Sequence, residues 1–155
     1  MNAVEAADKN FRSGCNCCQA VVMAYADELG LDRKTAMRLA SNFGAGYGKL
    51  RSVCGAVSGM TIVAGLAKGY DDTEDKEGKA LSYALERKIV EEFKKRRNET
   101  IMCFELLSIK EGEDLPEPAV RDENYYESRP CEGLVKDAVE ILEQEVFCRS
   151  DENKK

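Results

Sequence analysis

Cys131, Leu134, Val135, Ala138, Val139, Leu142 and Val146 recur every three or four residues near the end of the chain. That spacing places them on one face of an α-helix, and a strand would need alternation instead. The same period recurs upstream. Asn16 is a helix cap for a segment reaching Leu29, with Cys17, Ala20, Val21, Ala24 and Tyr25 on one face and Gly30 as its stop. Asp32 caps a second segment with Met37, Leu39, Ala40 and Phe43, ending at Gly44. Ser52 or Val53 opens an uncharged helix that runs to Gly69, and residues 79–97 carry the stripe Leu81, Ala84, Leu85, Ile89 and Phe93. A short helix is predicted after Thr100, and residues 112–129 are predicted irregular, with Pro116, Pro118 and the Tyr125–Tyr126 pair. Nowhere do two alternating β-branched runs flank a hairpin turn. The pattern predicts an all-α fold, a single-domain bundle of five to six helices over residues 1–148, with a polar tail at 149–155.

The remaining composition narrows the class of partner. A formal net charge of −6 argues against a nucleic-acid surface, which would carry a basic excess. The longest uncharged run, Val53 to Ala67, is shorter than the ~18–20 residues a membrane span requires, so no direct membrane insertion is expected. Residues 1–14 are polar and charged, without the apolar core of a secretion signal, and the expected location is cytoplasmic.

In that compartment seven cysteines and no histidine demand a chemical explanation, because structural disulfides belong to oxidising surroundings. The absence of histidine removes the usual general base and the Cys–His nucleophile pair. Four thiols share a position. Cys17 follows the cap Asn16, and Cys54 stands at the mouth of the uncharged helix. Cys103 follows Thr100 by three residues, and Cys131 follows Pro130, a residue suited to a helix start. Unpaired N–H groups and the positive end of the helix dipole favour thiolate there, which nucleophilic, redox and metal-binding cysteines all need. Each cysteine alone is read more simply as a small buried apolar residue, but four at helix starts point to chemistry.

Cys15 and Cys18 form a Cys-x-x-Cys spacing, whose members would share a helical face and could bridge. Cys148, before the polar tail, reads as incidental. The four spaced cysteines fit neither zinc-finger nor contiguous ferredoxin spacing, although helix ends that converge would also suit zinc or an iron–sulfur cluster. Gly44-Ala45-Gly46-Tyr47-Gly48-Lys49 matches no phosphate-loop pattern and reads as a turn for close backbone approach, as Gly55 and Gly59 read for tight helix contact.

Three stretches together resemble a known family: Phe11-Arg12-Ser13-Gly14-Cys15-Asn16-Cys17, Phe43-Gly44-Ala45-Gly46, and Cys54-Gly55-Ala56-Val57-Ser58-Gly59. With the single cysteines at 103 and 131 they are similar to the C_GCAxxG_C_C family of redox-active proteins, over residues 4–145. The resemblance implies a small prokaryotic cytosolic protein with a redox role, often encoded near transporter systems. The family's four cysteines correspond to Cys17, Cys54, Cys103 and Cys131, with Cys15 and Cys18 as additions that could serve as accessory thiols. Two functional readings follow. In one, these four carry thiol/disulfide chemistry with a redox partner. In the other they ligate zinc or an iron–sulfur cluster without turnover.

Overall fold

The structure, a computed structural model, describes residues 1–110 and 114–149. Among these the fold is all α, with one isolated antiparallel bridge, Val53 to Met102. The helices are α1 (Ala3–Arg12), α2 (Cys17–Tyr25), α3 (Arg33–Ala40), α4 (Gly55–Lys68), α5 (Lys76–Arg96), α6 (Cys103–Leu106), α7 (Glu123–Ser128) and α8 (Cys131–Glu145). Helices α2, α4 and α8 pack together at the centre, with α1 against α2 and α8, α5 against α4 and α8, and α3 against α2.

Local chemistry sets most of these boundaries. Asn16 caps α2 with a reciprocal box: its Oδ1 accepts from Gln19 N at 2.9 Å, and Gln19 Oε1 accepts from Asn16 N at 3.1 Å. Asp32 caps α3 through Thr35 N, as its sequence position predicts. Gly30 adopts φ +70° in the turn that closes the α2 segment. On α8 every residue of the sequence stripe, from Cys131 to Val146, is buried.

Several expectations need correction. Among the described residues eight helices form rather than five to six, because two short ones carry few apolar residues and bury little. The first is α1, capped by an Asn2–Glu5 box, whose only buried residues are Ala7 and Phe11. The second is α7, which occupies part of the stretch expected to be irregular and is capped by Asp122. Helix α2 ends at Tyr25 rather than Leu29, with Leu31 N turning back to Ala26 O at 2.8 Å. The stripe of α5 is buried only at Ile89 and Phe93, while Leu81 is 66% exposed. Met102, not Thr100, is the cap residue of α6, and Thr100 Oγ1 instead accepts from Met102 N. Of the polar tail, residues 150–155 lie outside the described residues.

Small residues permit the central crossing. A Cβ on Gly59 would sit 2.9 Å from Val21 Cβ and 3.1 Å from Cys18 O, and one on Gly55 would sit 3.1 Å from Cys17 Cβ. Gly59→Ala is therefore expected to lower stability by about 1–2 kcal/mol. Overpacking costs roughly 1–3 kcal/mol, and better helix propensity returns up to ~1. A urea-unfolding midpoint equal to or above the parent's would contradict this.

Candidate functional site

Three features of the chain draw the cysteines to one place. The α2–α4 crossing at Gly55 sets the first turn of α2 against the first turn of α4, and so Cys17 beside Cys54. The Val53–Met102 bridge then ties α4 to α6. Cys54 N donates to Ile101 O at 2.7 Å, and Cys103 N donates to Ser52 O at 2.6 Å. Finally, α8 packs on α1, α2 and α4, which brings Cys131 at its first position to Cys17. An Arg12–Glu132 ion pair of 2.6 Å, with Lys136 at 3.1 Å from Glu132, clamps α1 to the start of α8.

The four cysteines chosen from the sequence thus meet at one site, each at the opening of a helix: three at the first helical position and Cys54 at the cap. Cys17, Cys103 and Cys131 line a common cavity of about 230 Å³. Cys54 does not line it, but is buried close enough to feel the charge of Cys103 and Cys131. All seven thiols are free. Among the described residues, no group of three or more His, Cys, Asp or Glu side chains is set to hold an ion. Four thiolates gathered this way would repel one another unless protons, a sulfur–sulfur bond or a cation relieved the crowding.

The electrostatics divide the thiols unequally. Cys17 and Cys131 lie close enough for their ionisations to be coupled, and the two thiols are shifted in opposite directions. The neighbouring Cys17 thiol draws Cys131 down to about 7 against the opposition of burial, helped by the positive charges of Arg129, Arg51 and Arg121. The same proximity, together with burial, pushes Cys17 well up. The first proton lost from this pair is therefore easily lost and the second is retained. Cys54 is pushed up to about 12 by burial, although Val57 and Ala56 N–H groups favour its thiolate. Burial also raises Cys103, while Arg51, whose Nη1 donates to Cys103 Sγ at 3.7 Å, works the other way. The helix-start argument favours thiolate at each position and expects a lowered value at one or more of the four. Burial overrides the dipole at three of them, and Cys131 alone is lowered.

The remaining thiols lie elsewhere. Cys15 precedes the cap of α2 and donates to Met37 Sδ at 3.9 Å, whereas Cys18 points into the core with no exposed surface and is pushed up to about 12 by burial. The two do not share a helical face, because Cys15 is not in the helix. Cys148 is exposed.

The cations around the cavity were not singled out from the sequence. The segment 45–51 is almost continuously left-handed, with Ala45, Tyr47, Lys49 and Arg51 at φ between 55° and 68° beside Gly46 and Gly48. Non-glycine residues seldom adopt this backbone, and it recurs where a site demands it. Gly46 is required here, since a Cβ on it would lie 2.6 Å from Ser52 N. The run delivers Arg51 to Cys103, where Asp114 braces its guanidinium through contacts of 2.5 and 3.1 Å. Arg121 donates to Phe11 O and Cys15 O and lies 4.9 Å from the Tyr125 ring. Arg129, two residues before Cys131, lies 4.7 Å from the same ring. Only the adjacency of Arg129 to Pro130-Cys131 could have been noticed in the sequence.

Residues 15–145 match the family described as "Putative redox-active protein (C_GCAxxG_C_C)". The chain belongs to this family. No curated protein and no solved structure matches it. Among the described residues no helix is long and apolar enough to cross a membrane.

Proposed function

We propose that this redox-active family member carries out thiol–disulfide exchange, with Cys131 as the attacking thiol and Cys17 as the resolving one. The observation that carries this reading is the meeting of the two thiols at one cavity, each at the first position of its helix, where Cys131 is drawn down to about 7 and Cys17 is pushed well up. Cys131 thiolate attacks one sulfur of a disulfide R–S–S–R′, and R′–S⁻ departs with the electron pair of the broken bond. Cys17 gives its proton to R′–S⁻ and becomes the thiolate that attacks Cys131 Sγ. This second attack forms the Cys17–Cys131 bond and expels R–S⁻, which takes a proton from water. In sum, the protein dithiol loses two electrons and the substrate becomes two thiols. Burial keeps Cys54 and Cys103 protonated, Cys103 in the cavity wall and Cys54 outside it, while Arg51 partly offsets that effect at Cys103.

Anaerobic oxidation by 2-hydroxyethyl disulfide followed by peptide mapping tests this reading. Loss of two of the seven thiols, found as a Cys17–Cys131 bridge that dithiothreitol reverses, is the expected result. A bridge at other positions would overturn the assignment. The gathering of four cysteines also suits the metal-holding reading. Visible absorption or bound zinc after anaerobic purification, with thiols inert to the disulfide, would favour it.

A further inference from the structure

Four cations border the cavity, namely Lys49, Arg51, Arg121 and Arg129, and among the described residues no carboxylate lines it, although the chain as a whole is acidic at −6. Their commitments differ. Arg51 is paired with Asp114, Lys49 with Asp114 and the carbonyls of Leu115 and Glu117, and Arg121 with two carbonyls. Arg129 touches only the face of Tyr125 and has no carboxylate or carbonyl partner among the described residues. A half-buried guanidinium of this kind, two residues from Cys131 at the rim of a thiol-lined cavity, is a ready acceptor for an anionic group. The volume limits what can enter. A cavity of about 230 Å³ suits one arm of a small molecule.

Resting on the exchange reading above, we propose that the substrate is a small disulfide bearing a carboxylate within a few bonds of its sulfur. The carboxylate pairs with Arg129 while the neighbouring sulfur meets Cys131. The bonds made and broken are those of the exchange already described: Cys131 Sγ bonds to the carboxylate-bearing sulfur, the other half leaves as thiolate and takes the Cys17 proton, and Cys17 then releases the first half. The two electrons come from the Cys17–Cys131 dithiol.

Three disulfides of similar size separate charge from chemistry: dianionic dithiodiglycolate, neutral 2-hydroxyethyl disulfide and dicationic cystamine. Rates of Cys17–Cys131 bridge formation are measured in a Cys148→Ser chain, and each is divided by its rate with free 2-mercaptoethanol. The dianion is expected to exceed the neutral reagent, and the neutral reagent the dication, by about tenfold or more each. Raising salt from about 0.02 to about 0.5 M should compress both ratios. Arg129→Gln slows all three reagents by weakening the Cys131 thiolate, but its distinguishing effect is to cut the dianion-to-neutral ratio by roughly fivefold or more. Equal normalised rates for the three, or ratios indifferent to salt and to Arg129→Gln, would overturn the anion inference and leave exchange standing. If none of the reagents forms the bridge, the exchange reading itself fails.

Discussion

Replacing Cys131 with serine is expected to remove nearly all disulfide and alkylation reactivity of the cavity at neutral pH. At about 7 its thiol is roughly half ionised at pH 7, whereas a thiol at about 12, such as Cys54, is ionised in roughly one molecule in 10⁵. Intrinsic nucleophilicity recovers part of that difference. With a Brønsted slope of ~0.4–0.5, five pH units return roughly two powers of ten, so Cys131 still leads by a few hundredfold. The measurement is the iodoacetamide rate against pH, in a Cys148→Ser background so that the exposed thiol does not dominate. The parent should show a step centred near pH 7, and Cys131→Ser should lose it. Cys17→Ala should retain the step but move it upward, because the neighbouring Cys17 thiol is the largest influence holding Cys131 down. A step that persists in Cys131→Ser, or that does not move in Cys17→Ala, would contradict the assignment.

How much of this site can be read from sequence depends on how local its causes are. Cys17 and Cys131 were legible because their helix starts are fixed by adjacent residues, Asn16 and Pro130. Their meeting was legible only as a consequence of helix ends gathering, with Gly55 and Gly59 as the hint. The unequal charge states were not, because they arise from a contact between residues 114 positions apart and from burial that the dipole argument ignores. Arg51 escaped notice because its placement depends on a left-handed run that only partly coincides with glycines. The misread face of α5 has a simpler cause. At 1.5 Å per residue its 21 residues span about 31 Å, against roughly 22 Å for the 15 residues of α8. Its first turns therefore have a periodic stripe but no α8 beneath them, and Leu81 stays exposed.

Stability is expected to fall steeply once pH rises past about 9, more steeply than for a chain with exposed thiols. Cys18 and Cys54 stand near 12 in the folded protein against an ordinary 9.0, both chiefly through burial. Between those values the folded state holds protons that the unfolded chain has lost, so unfolding is favoured by ~1.36 kcal/mol per proton per pH unit. At pH 10 each group costs about 1.4 kcal/mol, and the two together roughly 3 kcal/mol. That is a large share of a total stability of about 5–15 kcal/mol. Cys17, Cys103 and Cys15 are shifted in the same direction and steepen the fall. Cys131 acts oppositely: its lowered value makes the folded state the weaker proton binder from about 7 to 9.0, so stability rises across that window. Urea unfolding under strong reductant should accordingly give a maximum near pH 8–9 and a sharp decline by pH 10. Cys18→Ala separates this cause from general alkaline damage. Losing a fully buried sulfur should cost about 1–2 kcal/mol at pH 7, yet removing one suppressed ionisation should flatten the decline above pH 9. A midpoint that stays level from pH 8.5 to 10, or a decline as steep in Cys18→Ala as in the parent, would show that the buried thiols do not govern the alkaline limit.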